Sequence, residues 1–235
     1  MDIGGNLRAI KEKIAAAENR GHRPAGSARL LAVSKTFAPA AVLSAYNAGQ
    51  RDFGENRVQE WLEKAPELPP DCGWHIIGRL QTNKVKYLDS RVKLIHSLDR
   101  FALMESLQAA GTKKDLIWPA LVEVNIAGDG AKAGISREEV RDFLAAARDY
   151  PRVDIRGFMT IGPFEAPAAE MREIFSSLRR LRDELRAQNV PGAANLTELS
   201  MGMSQDFEMA VEEGATIVRV GSLLFGERKY YREEA

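Results

Sequence analysis

Eight short apolar runs recur along this chain, each separated from the next by a stretch of helical spacing, and this alternation limits the fold more than any other feature. The runs cover residues 30–34, 51–56, 74–78, 92–98, 119–126, 153–161, 196–199 and 215–220. Short apolar runs closed by turn residues read as buried strands. The intervening stretches 39–49, 58–65, 83–88, 99–111, one that starts at Ser136, 168–188 and 204–213 read as helices, with Val42, Leu43 and Tyr46 on the inner side of the first of them. An extra helix over residues 7–19 precedes the first run, with Leu7, Ile10 and Ile14 on one face. Asp99 and Ser204 are expected to cap the helices that follow them, and Ser136 with Glu139 has capping-box spacing. Alternation of this kind predicts an α/β parallel sheet, and eight units predict a closed (β/α)8 TIM barrel. The alternative, an open doubly wound sheet, lacks its usual Gly-x-Gly-x-x-Gly after the first strand.

No composition break or linker divides the chain, so residues 1–235 are expected to form one domain. With 33 basic and 33 acidic side chains the net charge is +0, which gives no footprint for nucleic acid or an anionic membrane. The single cysteine, Cys72, excludes an internal disulfide and fits a reducing compartment. Neither a signal peptide nor an apolar stretch of membrane-spanning length is present, so a cytoplasmic location is expected. His22, His75 and His96 show no metal-ligand spacing with one another or with Cys72, and no Gly-x-Ser-x-Gly elbow supports a serine hydrolase.

In a barrel the working groups sit at the C-terminal ends of the strands. Lys35 ends the first run. Burial of its stem at a strand end disfavours the ammonium and frees the amine to attack an aldehyde, although a lysine at such an end can also snorkel to water. Glu55 and Asn56 end the second run, the stretch from Gly78 to Lys84 follows the third, and Met159 and Thr160 lie near the end of the sixth. After the seventh and eighth runs come Ser200-Met201-Gly202-Met203-Ser204 and Arg219-Val220-Gly221-Ser222. Loops at these two places commonly cradle phosphate, and Gly202 and Gly221 would let the backbone approach an anion, with Ser200 and Ser222 as hydroxyl donors. Simple turn and cap roles for Gly221 and Ser204 are the competing readings. Arg219 interrupts an apolar run and needs a partner, either a carboxylate such as Glu198 or Glu123 or a ligand. An amine, a phosphate cradle and a ring-nitrogen partner are what pyridoxal 5′-phosphate requires.

These stretches resemble the pyridoxal-phosphate homeostasis proteins. The matching blocks are Ala32-Val33-Ser34-Lys35-Thr36, Phe53-Gly54-Glu55-Asn56, the run from His75 to Lys84, the run from Leu199 to Asp206, and Val218 to Ser222 with Phe225-Gly226. Two positions depart from the pattern: Ile76 stands where the family carries Phe, and Asp129 where it carries Glu. The resemblance implies a barrel similar to the N-terminal domain of alanine racemase, with Lys35 holding pyridoxal 5′-phosphate as a Schiff base. It further implies that Ser200, Gly221 and Ser222 hold the phosphate, that Asn56 flanks the ring, that Arg219 faces the ring nitrogen, that Ile77, Gly78 and Met159 line the pocket, and that Met201 is among the cofactor-binding residues.

The implied function is intracellular cofactor homeostasis or carriage without strong turnover, and the alternative is a racemase or related amino-acid enzyme. An arginine against the ring nitrogen can only donate, so the nitrogen stays unprotonated and the ring is a weak electron sink. Racemases with that arginine take a second base from another domain, and the tail tyrosines Tyr230 and Tyr231 are poor substitutes for it. Apo pyridoxal-phosphate enzymes are the expected partners, with Lys84 and Lys132 as candidate relay amines, and a monomer is expected.

Overall fold

In the computed structural model, described for residues 1–128, 133–163 and 165–226, the eight runs are the staves of a closed parallel barrel. Asp129, Lys132, Tyr230 and Tyr231 lie outside the described residues. The strands are β1 (Arg29–Val33), β2 (Asp52–Glu55), β3 (Gly73–Ile76), β4 (Val92–Leu98), β5 (Trp118–Glu123), β6 (Val153–Met159), β7 (Glu198–Ser200) and β8 (Ile217–Val220). Each pairs with the next, and β8 returns to β1 with Leu30 opposite Val218 and Leu31 opposite Arg219. This return excludes the open sheet, because both edges of the sheet are used up in closing it.

The helices are α1 (Ile3–Arg20), α2 (Pro39–Asn47), α3 (Val58–Lys64), α4 (Phe101–Lys114), α5 (Val140–Ala147), α6 (Ala168–Ala187), α7 (Phe207–Glu212) and α8 (Ser222–Phe225). The segment after β3 forms a 3-10 helix, Thr82–Tyr87. α1 precedes the barrel and buries Leu7, Ile10, Ile14 and Ala17, the face its spacing predicts. It is tied to α7 by Arg20, whose guanidinium bonds Glu212 at 2.7 Å and Glu208 at 2.9 Å. No helix among the described residues is long and apolar enough to cross a membrane.

Three local expectations are corrected. On α2 the buried pair is Val42 and Ala45, and Leu43, one position off that line, is 38% exposed. Asp99 does not cap α4. Its carboxylate turns to the guanidinium groups of Arg79, at 3.2 Å, and Arg100, and charge-assisted bonds of this kind outweigh a backbone cap. Ser204 does not cap α7, since Asp206 stands at the cap position and its carboxylate accepts from the Met203 N–H. Ser136 and Glu139 do form reciprocal bonds, Ser136 N–H to Glu139 Oε2 at 2.7 Å and Glu139 N–H to Ser136 Oγ at 3.4 Å, around the turn that leads into α5 at Val140.

The apolar core has two layers. The larger lies between strands and helices and contains Trp61, Trp74 and Trp118 together with Phe53, Phe158 and Phe175. The smaller fills the barrel: Leu31, Leu94, Leu121, Met159 and Ile217, with Ile77 against them. Side chains alternate along a strand, so the interior parity of β1 runs Leu31, Val33 and on to Lys35, and that of β8 runs Ile217, Arg219 and on to Gly221. The register of these two strands brings a lysine and an arginine to one rim.

Candidate functional site at the barrel mouth

The mouth holds a cavity of about 310 Å³ lined by Lys35, Asn56, Ile77, Gly78, Arg219, Gly221 and Ser222 among the residues expected from sequence. Val33, Arg79, Glu123, Ala133, Ile161, Met203 and Ser204 complete the wall. Lys35 is half-buried in the turn two residues beyond β1, rather than in the strand itself. Gly78 lies where β2 and β3 release their loops, and a Cβ there would sit 2.5 Å from the Asn56 carbonyl oxygen, so the close approach of the two loops demands glycine. Gly202 is set by packing: its φ is +89° and a Cβ would meet Ala210 Cβ at 2.4 Å. Gly221 offers its N–H to Ser204 Oγ at a long 3.4 Å, which places a hydroxyl and a backbone donor side by side at the start of α8. The first N–H groups of that helix have no intrahelical partner.

Three of the expected residues do not line this cavity. Met159 belongs to the apolar cluster beneath it. Met201 is fully buried in the outer layer. Ser200 is fully buried too, and its hydroxyl is engaged by other side chains.

That engagement belongs to a chain of hydrogen bonds through the barrel interior. Arg219 Nη1 donates to Ser200 Oγ at 2.7 Å, and Arg219 Nη2 to the Thr160 carbonyl at 2.9 Å. Ser200 Oγ lies 2.9 Å from His96 Nδ1, and His96 Nε2 lies 2.9 Å from His75 Nδ1. His75 Nε2 in turn faces the Asp52 carboxylate at 3.9 Å, near the opposite end of the barrel. Burial depresses both imidazoles, His75 to about 3 and His96 well below its ordinary value, so both are neutral at physiological pH. With neutral rings and a donor-only guanidinium, the Asp52 carboxylate favours a proton on His75 Nε2, and the chain then runs in one sense: the Ser200 hydroxyl donates to His96, and His96 donates to His75. Neither Glu198 nor Glu123 forms an ion pair with Arg219; Glu198 pairs with Arg29 at 3.0 Å. Burial lowers the Arg219 guanidinium to about 10, so it stays charged at neutral pH.

A second buried polar group braces β1 just below Lys35. Lys64 Nζ donates to Glu55 Oε1 and to the Ser34 carbonyl, each at 2.9 Å, and the Ser34 hydroxyl donates to the same Glu55 oxygen at 2.6 Å. Glu123, at the end of β5, faces Arg219 across the cavity wall, yet burial, with Asp99 adding repulsion, raises its carboxyl to about 7. A carboxyl whose folded value is raised binds its proton more tightly when folded. Its contribution to stability is therefore present at acid pH and lost as pH rises through about 7. Glu123→Gln is expected to leave stability unchanged near pH 4 and to raise it at pH 8 by on the order of 2 kcal/mol, read by urea unfolding at the two pH values.

The family model of the alanine racemase N-terminal domain matches residues 5–229. The pyridoxal phosphate homeostasis protein of Aquifex aeolicus (strain VF5) is 47% identical over 232 residues, covering 98% of this chain and 100% of that one. The chain belongs to the pyridoxal phosphate homeostasis protein family. Among solved structures, PipY of Synechococcus elongatus PCC7942 with PLP bound superposes with a TM-score of 0.83 at 38% identity, covering 95% of this chain and 100% of PipY. Alanine racemase from Bartonella henselae shares the fold, with a TM-score of 0.70 at 16% identity over 97% of this chain and 60% of the racemase. Within this family frame, the sequence reading missed the His75–His96 pair, the Glu55–Lys64 brace and Glu123 as a wall residue. Interior parity was the available signal: Glu123 follows Leu121, His96 follows Leu94 and His75 precedes Ile77 at steps of two.

Proposed function

We propose that the barrel mouth binds pyridoxal 5′-phosphate, with Lys35 as the amine that meets its aldehyde, and that the protein holds and hands on this cofactor rather than turning over a substrate. The observation that carries the reading is that Lys35 and the buried Arg219 line one cavity of about 310 Å³, near the lower end of the ~300–1,000 Å³ range of small-molecule sites. The donor set fits the group. Gly221, Ser222 and Ser204 supply hydroxyls and backbone N–H groups for a phosphate, and Arg219 supplies a donor for the ring nitrogen. Bound there, the cofactor supplies an aldehyde that condenses with amines. Ser200, held between Arg219 and His96, serves as a brace for the guanidinium in this reading and leaves the phosphate to the β8 loop.

Arg219 also supports carriage over catalysis. Its bonds to Ser200 and Thr160 fix it as a charged donor, which keeps a ring nitrogen facing it unprotonated and weakens any carbanion sink. Ile161 and Met203 are 44% and 40% exposed on the cavity wall, an apolar rim suited to an acceptor enzyme that collects the cofactor. The exposed large apolar side chains are otherwise distributed over separate elements, which supports a monomer, and the buried free thiol of Cys72 supports a reducing, intracellular setting.

Purified protein offered pyridoxal 5′-phosphate is expected to turn yellow and, after borohydride, to carry the adduct on the Lys35 peptide by mass spectrometry. Lys35→Ala is expected to stay colourless, and L-alanine incubated with the coloured protein is expected to keep its chirality. A colourless wild type, or an adduct on a different lysine, would refute the reading.

A further inference from the structure

Beside the mouth lies a larger recess of about 770 Å³, and it shares Asn56 and Arg79 with the mouth cavity. Four cationic side chains line it, Arg57, Arg79, Lys84 and Arg100, and no carboxylate does. The chain as a whole is balanced at 33 basic and 33 acidic residues, so this excess is local. Asp99, the acid that pairs with two of them, is 4% exposed at its side chain and is already divided between Arg79 and Arg100. Among the described residues, Arg57 and Lys84 form no ion pair. Closely set guanidinium and ammonium groups repel one another unless an anion joins them, and a concave wall concentrates their field. Arginine with its planar fork, joined by a lysine, is the side-chain chemistry that recognises phosphate.

We propose that this recess is a second anion site, distinct from the Lys35 cavity, that takes a phosphate monoester the size of a phosphorylated vitamin B6 compound. Its volume favours a small molecule over the acidic surface of a protein, because about 770 Å³ falls inside the ~300–1,000 Å³ range of ligand pockets. Gln81 and Thr82 supply neutral polar groups for ring substituents, and the buried Leu80 gives an apolar floor. A ligand held here abuts the mouth through Asn56 and Arg79. The recess therefore serves as a waiting position for cofactor on its way in or out. That role rests on the mouth reading above, whereas the anion site does not.

The test uses protein loaded with pyridoxal 5′-phosphate and reduced with borohydride, so that the mouth is filled. Mass spectrometry reports the filling, and its failure would count against the mouth reading alone. Calorimetric titration with pyridoxine 5′-phosphate, which has no aldehyde, then reads the recess. Saturable binding of one equivalent is expected, weakened by added salt and weakened about tenfold or more in Arg57→Gln/Lys84→Gln. Pyridoxine without phosphate is expected not to bind, and inorganic phosphate to compete more weakly than the ester. Equal affinity for pyridoxine, or an undiminished affinity in the double variant, overturns the site. Equal affinity for inorganic phosphate and the ester overturns the assignment to a phosphorylated metabolite. Binding of poly-glutamate with no binding of the ester overturns it in favour of protein docking.

Discussion

Lys64→Ala is expected to destabilise the protein by about 3–5 kcal/mol at pH 8, the scale for stranding one member of a buried ion pair. The Glu55 side chain is 0% exposed and that of Lys64 only 7%, so neither charge can turn to water when its partner is removed. Two bonds go with the ammonium, to Glu55 Oε1 and to the Ser34 carbonyl, and the second Glu55 oxygen already has no partner. The size of the effect should depend on pH. Burial outweighs the attraction of Lys64 and raises the Glu55 carboxyl to about 7 in the intact protein. Without the ammonium the folded value rises further. Folded wild type and variant both carry a neutral Glu55 at pH 5, and the variant there loses only hydrogen bonds. Above pH 7 the wild type ionises against Lys64, whereas the variant must keep a proton that the unfolded chain releases, so the gap widens. Urea midpoints at pH 5 and pH 8 measure this. A deficit equal at both pH values would contradict it. Replacing the pair together, as Glu55→Gln with Lys64→Met, is expected to recover much of the loss, because no buried charge remains. Since Ser34 precedes Lys35, the single variant is also expected to weaken cofactor retention, and the double variant less so.

His96→Leu is expected to cost about 2–4 kcal/mol, because it strands two polar groups in a place water does not reach. The Ser200 hydroxyl loses its acceptor and His75 Nδ1 loses its donor, each an unsatisfied buried group worth about 1–3 kcal/mol. With His75 at 3% exposure and His96 at 0%, local relaxation has little room. His75→Leu/His96→Leu is expected to be less damaging than the sum of its parts, since the pair vanishes together, and a thermodynamic cycle over the four proteins gives the coupling. A double variant whose cost equals that sum would show that the two rings act independently. Cofactor absorbance supplies a second readout. If Ser200 holds Arg219 through His96, the single variant shifts the spectrum of bound pyridoxal 5′-phosphate even where the protein remains folded, which loss of packing alone would not produce.

Much of this architecture was readable before any coordinates. Apolar runs mark strands because a barrel stave is buried on both faces, and each observed strand lies within a few residues of its expected run. Lys35, Arg219, Gly221 and Ser222 were singled out as odd residues at the ends of such runs, and they do share a cavity. Ends and caps were read less well. Asp99 and Ser204 have the chemistry of helix caps, but Arg79 and Arg100 claim the first and Asp206 displaces the second. Local preference is worth roughly 1 kcal/mol at a cap, and a nearby charge in space readily exceeds it.

The amino-acid order alone determined the barrel class, the placement of Lys35 just beyond the first strand and the two glycine-serine loops, because periodicity and turn chemistry act between near neighbours. Tertiary structure decided what depends on closure. It joined β8 to β1 and so set Arg219 and Lys35 on one rim. It stacked His75, His96 and Ser200 into one line of bonds although 104 positions separate His96 from Ser200, and it drew Arg57, Arg79, Lys84 and Arg100 around one recess. Hydrogen bonds and charges act through space over a few ångströms, and only the closed sheet determines which distant residues lie within that range.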